Sequence, residues 1–260
     1  MKRWSRWILE FVVPPVALLV LVVAAWHAAV IAFHVKRYVV PLPLEVLQAG
    51  WRRGDVLFSA ASMTGEAATA GFAISLAAGF IVACLFSQSR IIERSIYPYA
   101  IFLQTVPIVA VAPLIVGWFG YGFQSVVVVA FIISIFPVIT NATAGLTSID
   151  RNLLELFELA GASRWQVLAK LRLPSSVPHL VTGARISAGL SVVGAIVGEM
   201  FAGAGASRPG LGYLIQQTSG HQRTDELFAA VLTSAALGMM IFGAVSAAGR
   251  MVTLWWSGTK

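Results

Sequence analysis

Charge is scarce in this chain. Of its 260 residues only 11% are Asp, Glu, Lys or Arg, against roughly 25% in a soluble globular domain, which is too little to cover a water-facing surface. A single cysteine, Cys84, sits inside an apolar run, so neither a disulfide framework nor a cysteine metal site can form within the chain. None of its four lysines follows a glycine, so the G-x-x-x-x-G-K-[ST] phosphate loop is missing. Histidine is sparse and scattered: His27 and His34 share one apolar segment, while His179 and His221 lie far apart. No carboxylate cluster accompanies them, so the converging ligands of a metal or haem site are not in evidence. A membrane-embedded enzyme would need paired acids or a His-rich motif within its apolar segments, and those segments offer only Glu199. No Lys/Arg run is interleaved with aromatics, so the net charge of +7 does not describe a nucleic-acid face.

What is present is apolar sequence. The chain is 58% hydrophobic, with a mean hydropathy of +0.83, and apolar runs of about 20 residues match a hydrocarbon core of about 30 Å. This predicts an all-α integral membrane protein with about six spans, near 11–33, 67–86, 97–118, 123–144, 177–202 and 227–249. The first follows Lys2, Arg3 and Arg6 but is longer than a signal-peptide core of roughly 7–15 residues, which predicts a retained span. Residues 95–149 hold no charge. As one helix they would reach roughly 80 Å at 1.5 Å per residue, so the chain must turn back once. Gly117-Trp-Phe-Gly-Tyr-Gly122 supplies glycines for that turn and aromatics for an interface. With both termini cytoplasmic, eleven Lys/Arg fall inside and six outside, Arg185 being set aside within a span.

The charge that exists is concentrated in one place. Asp150, Arg151, Glu155, Glu158, Arg164, Lys170 and Arg172 punctuate the segment between spans four and five, which includes ELFELAGASRWQVLAKLRLP. A helix over 151–160 would be roughly 15 Å long, too short to cross a bilayer. Asp150 is its expected N-cap and Gly161 its stop; a second short helix is predicted from Ser163 to Leu171, ended by Pro174. Two angled amphipathic helices fit a groove on a partner protein or the lipid surface.

The spacing of this loop resembles that of the permease subunits of ATP-binding-cassette (ABC) importers, whose cytoplasmic loop reads Glu-Ala-Ala, three residues, Gly, nine residues, Ile-x-Leu-Pro. Glu155, Gly161, Leu171, Leu173 and Pro174 stand at those positions, while Leu156 and Phe157 replace the alanines. QTVPIVAVAPLIVGWFGYG (104–122) and GEMFAGAGASRPGLGYLI (198–215) are similar to the branch handling nitrate, sulfonates and taurine. The resemblance implies a type I importer permease in the bacterial inner membrane, with an N-terminal segment 1–61, a core 62–250 containing the loop 150–174, and a tail 251–260. It implies an ABC ATPase subunit, carrying ATP and Mg, that docks on Glu155, Leu156, Phe157, Gly161, Ala162, Ser163, Leu171, Leu173 and Pro174. It also implies a second permease copy as a homodimer, an extracytoplasmic solute-binding protein and a surrounding lipid bilayer, with no cofactor, metal or nucleic acid on this chain. An ion-coupled secondary transporter, or a structural membrane subunit, is the alternative.

Candidates for the solute path or a gate are Gln104, Thr105, Pro107, Asn141 and Glu199. A carboxylate at the bilayer centre costs roughly 2.5–3.5 kcal/mol on insertion scales, so Glu199 is expected to face a cavity or to reach an interface. Ala67, Gly71, Ser75, Gly79 and Ala83 place a small residue at every fourth position of span two, which lets helices approach closely.

Overall fold

The structure, a computed structural model, describes residues 13–205 and 208–258. Among the described residues every regular element is helical. Five helical stretches are long and apolar enough to cross a bilayer: α1 (Val13–Ala32), α3 (Gly54–Gln88), α6 (Phe123–Thr147), the run Arg164–Ala202 that ends in α9 (Leu173–Ala202), and α11 (Thr224–Gly258). Shorter helices fill the connections. These are α2 (Pro43–Arg52), α4 (Arg90–Thr105), α5 (Ile108–Phe119), α7 (Arg151–Leu159), α8 (Arg164–Val167) and α10 (Leu211–Gly220). The bundle thus has a loop end, carrying α7 and α8, and an opposite end, carrying α2 and α10.

The expected third span is not one helix. The 97–118 segment is divided between α4 and α5 at Val106–Pro107, where Pro107 takes φ −62° and ψ 113°. Proline has no N–H to continue the ladder and pushes its predecessor out of the helical region. The turn expected within 117–122 is present, with Gly120 and Gly122 at φ +83° and +114° between α5 and α6. Helix α3 begins well before residue 67, so a boundary at 61/62 falls inside a continuous helix of 35 residues.

The core is a three-helix stack in which α6 packs between α3 and α9. Within a bilayer, lipid competes for apolar contacts as well as protein does, so close approach and interhelical hydrogen bonds decide the packing. The small residues of span two are buried inside this one chain. A Cβ on Gly71 would stand 2.6 Å from Ala130 Cβ, and one on Gly194 2.7 Å from Ala130 Cα, so α3 and α9 close on the same residue of α6. Buried serines bond across the contact: Ser187 donates to the Ser134 carbonyl at 2.5 Å, and Ser75 and Ser187 hydroxyls are 3.3 Å apart. Helix α1 buries only Val30 among its residues and touches the body through Trp26, stacked on Phe228 at 5.7 Å.

Candidate functional site

The loop end presents a built motif. Asp150 caps α7 by accepting from the Asn152 N–H at 2.9 Å. Helix α7 stops in a two-bond turn: the Gly161 N–H donates to Glu158 O and the Ala162 N–H to Phe157 O, each at 3.0 Å. Gly161 sits at φ +70° there, a conformation that costs roughly 1–2 kcal/mol for a residue with a Cβ. Ser163 then caps α8 reciprocally with Gln166: its hydroxyl accepts from the Gln166 N–H at 3.3 Å, and Gln166 Oε1 accepts from the Ser163 N–H at 2.7 Å.

The expected stop at Pro174 does not occur. Helix α8 widens into a π turn over Leu168–Arg172 and runs on into α9, with the Leu173 N–H reaching back five residues to Leu168 O. The widened turn makes room for the proline ring, which in a regular helix clashes with the carbonyl four residues back. Val167, Leu168 and Leu171 are buried, and Arg172 donates to the Ser87 carbonyl of α3, so the second half of the motif is anchored to the bundle. Leu173 and Pro174 are half-buried on the same anchor.

The first half is not anchored. Helix α7 buries no residue. Leu156 is 59% exposed, Trp165 of α8 74% exposed, and Leu153 and Leu159 are also open. Glu155 is held on the outer surface by Arg151 at 3.1 Å, a pairing worth at most a few tenths of a kcal/mol. Between the two short helices lies an open cleft of about 370 Å³ lined by Leu156, Phe157, Ala160, Ala162, Gln166 and Lys170. Apolar side chains at helical spacing are thus left uncovered beside the Gly161 turn.

The opposite end holds a second constellation. Glu199 is 1% exposed and does not reach an interface. Its Oε2 accepts from the Gly212 N–H at 2.8 Å and the Thr64 hydroxyl at 2.9 Å, while Thr64 Oγ1 accepts from the Leu211 N–H at 2.9 Å. The Gly212 and Leu211 amides belong to the first turn of α10, where amides lack intrahelical partners and the dipole favours an anion. Glu199 therefore caps α10 from the end of α9, with Thr64 of α3 as the third member. A Cβ on Gly210 would collide with the carboxylate, and one on Gly212 with Ile196 O. Beside it, Glu66 pairs with Arg208 at 3.0 Å, and Arg53 reaches Glu226 at 3.1 Å above a cavity of about 240 Å³ between α2, α3, α10 and α11.

The other path candidates are not gathered with Glu199. Gln104, Thr105 and Pro107 are exposed around the α4–α5 break, and the Thr105 hydroxyl is returned to Phe102 O at 2.7 Å. Asn141 is half-buried on α6, donates to Pro137 O at 2.8 Å and faces Gly183 of α9. The capping role of Glu199 had no signal in its own surroundings, because its partners lie 13 and 135 positions away.

Comparisons with known proteins agree on one class. Residues 75–252 match the family described as binding-protein-dependent transport system inner membrane component. The formylaminopyrimidine transport permease protein ThiX of Halalkalibacterium halodurans is 31% identical over 84% of this chain and 86% of its own length. The riboflavin transport system permease protein RibX of Chloroflexus aurantiacus is 33% identical over 93% and 89%. The putative aliphatic sulfonates transport permease protein SsuC of Bacillus subtilis is 26% identical over 98% and 89%. Among solved structures, an inward-facing conformation of the MetNI methionine ABC transporter superposes with a TM-score of 0.59 at 21% identity, covering 78% of this chain and 96% of that one; this likeness speaks for the fold.

Proposed function

Because the chain belongs to the family of binding-protein-dependent transport system inner membrane components, we propose that its α7–α8 motif is the element through which a separate ATPase drives solute uptake. The coarse role is plain: it is a multi-pass, membrane-embedded permease subunit of an ABC importer, and ATP hydrolysis falls on separate ATPase subunits. The proposed assembly has two copies of this chain, two ATPase subunits and an extracytoplasmic binding protein, in the bacterial inner membrane. The loop end and both termini face the cytoplasm; the α2–α10 end receives the binding protein.

The observation that carries the motif's role is the uncovered apolar face of α7, held off the bundle by the Gly161 turn and joined through α8 and the π turn to α9. A push on α7 passes along a continuous helical run, and α9 packs on both α6 and α3. ATP-driven closure of the ATPases moves these helices and alternates access to the path. The solute is small and polar, a sulfonate, nitrate, taurine or similar molecule. Relatives named for a formylaminopyrimidine, riboflavin and aliphatic sulfonates mark the chemical range that the scaffold serves.

The test is assembly. Leu153→Asp combined with Leu156→Asp leaves membrane insertion intact and abolishes copurification of the ATPase subunit. Retention of the ATPase at the wild-type ratio would remove α7 as the docking element.

A further inference from the structure

Arg185 is a partly buried arginine of α9 that makes no ion pair among the described residues. It stands near the middle of α9, about 18 Å from the Leu173 end and about 26 Å from the Ala202 end at 1.5 Å per residue, in a helical run long and apolar enough to cross a bilayer. Among the described residues no carboxylate lies within ion-pair distance of it. The only carboxylate on α9 is Glu199, 14 positions away, about 21 Å. Its described hydrogen bond is a long one, Nη2 to the Ser246 carbonyl of α11 at 3.4 Å. Its Nε–H is buried without a partner, and so is the Ser246 hydroxyl on the facing helix.

The seam around it is registered and close. A Cβ on Gly249 of α11 would collide with Val181 and stand 3.6 Å from Arg185 Nη2; one on Gly238 would stand 3.9 Å from Val192. These pairs fix α9 and α11 as antiparallel neighbours on either side of the guanidinium. On the same two helices a Cβ on Gly189 or Gly243 would meet nothing within 4 Å. Arg185 as a whole residue is only partly buried, so the seam is not sealed over it.

A buried cation in a membrane is retained at a cost and is ordinarily neutralised by a partner. Guanidinium presents planar, paired donors that match a tetrahedral or trigonal oxyanion, and a hydroxyl beside it adds a third donor. We propose that Arg185 and Ser246 form an oxyanion-binding site in the α9–α11 seam, suited to a sulfonate, carboxylate or phosphate group. The site stands on this geometry alone; its link to solute passage rests on the importer reading. The same chemistry has two sources, a soluble anion or the phosphate of a lipid headgroup. The distance of Arg185 from both ends of α9 favours the soluble one, because headgroup phosphates lie near the ends of a spanning helix.

The test uses the full chain in phosphatidylcholine nanodiscs without ATPase or binding protein, so that failure of the site is distinguishable from failure of the transport role. Methanesulfonate is titrated and thermal unfolding followed; in a parallel arm phosphatidylglycerol replaces part of the phosphatidylcholine. The wild type is stabilised saturably by methanesulfonate. Arg185→Gln weakens the apparent affinity at least about tenfold, the loss expected for one charge-assisted hydrogen bond. Ser246→Ala, which removes only an unpartnered hydroxyl, folds normally and weakens it severalfold. Arg185→Lys keeps the charge, loses the fork and falls between. Stabilisation by phosphatidylglycerol alone, with the same dependence on Arg185 and Ser246, assigns the site to a lipid phosphate. The same response to both probes in wild type, Ser246→Ala and Arg185→Lys would overturn the site.

Discussion

Replacing Glu199 with alanine is expected to release α10 from the bundle while the long helices remain packed. The magnitude follows from the groups involved. Glu199 Oε2 accepts two hydrogen bonds, from the Gly212 amide and the Thr64 hydroxyl, at 1% exposure. A hydrogen bond contributes about 0.5–1.5 kcal/mol, a buried donor left without a partner costs about 1–3 kcal/mol, and loss of a helix cap costs about 0.5–2 kcal/mol. Thr64 retains Ala60 O as an acceptor at 3.0 Å and still receives the Leu211 amide, so only the Gly212 N–H is orphaned. The net cost is about 3 kcal/mol, or roughly a hundredfold in the opening equilibrium. Amide exchange read by mass spectrometry over 211–220 measures that opening directly: Glu199→Ala accelerates it roughly a hundredfold, with little change over 126–146 of α6. Glu199→Gln keeps an oxygen that accepts from the Gly212 amide and the Thr64 hydroxyl and costs about 1 kcal/mol, so its acceleration is severalfold. Equal exchange in wild type and Glu199→Ala would refute the cap. Equal effects of Ala and Gln would show that charge alone, rather than the bonded geometry, holds α10.

Two further outcomes follow from the same geometry. Gly161→Ala strains the φ +70° turn by roughly 1–2 kcal/mol and re-aims α7; solute-stimulated ATP hydrolysis by the assembled transporter falls while the permease retains its unfolding temperature within a few degrees. Gly194→Leu drives a side chain into Ala130 of α6, whose Cα would already be 2.7 Å from a Cβ; overpacking of this kind costs about 1–3 kcal/mol or more, and thermal unfolding in detergent shifts down accordingly.

How much of this was legible in sequence depends on the range of the interactions. The α7–α8 motif was legible because its determinants are local: Asp150 two residues from the amide it caps, Gly161 at the turn, Ser163 three residues from Gln166. Its continuation was not. Pro174 looks like a stop, and only the π turn, which depends on Leu168 and Leu171 being anchored in the bundle, carries the helix past it. The prolines of the third apolar segment look alike in sequence, yet Pro98 and Pro113 stay within helices while Pro107 separates them; the presence of a proline does not by itself make that choice. Span two announced close packing through its small residues, and burial in the structure places that packing against α6 and α9 of the same chain. Glu199 stood out as an acid in an apolar run, but its role as a remote cap required α3, α9 and α10 to be brought together first.

The central claim is that α7 and α8 transmit force from an ATPase. A photo-activatable residue at Ser163, which is exposed at the tip of the motif, measures this in native membranes with the trapped species identified by mass spectrometry. The account predicts a covalent adduct to an ABC ATPase subunit, lost when Leu153→Asp and Leu156→Asp are added. Adducts to lipid alone, from a protein that still supports solute uptake, would contradict it and return the motif to a membrane-surface helix.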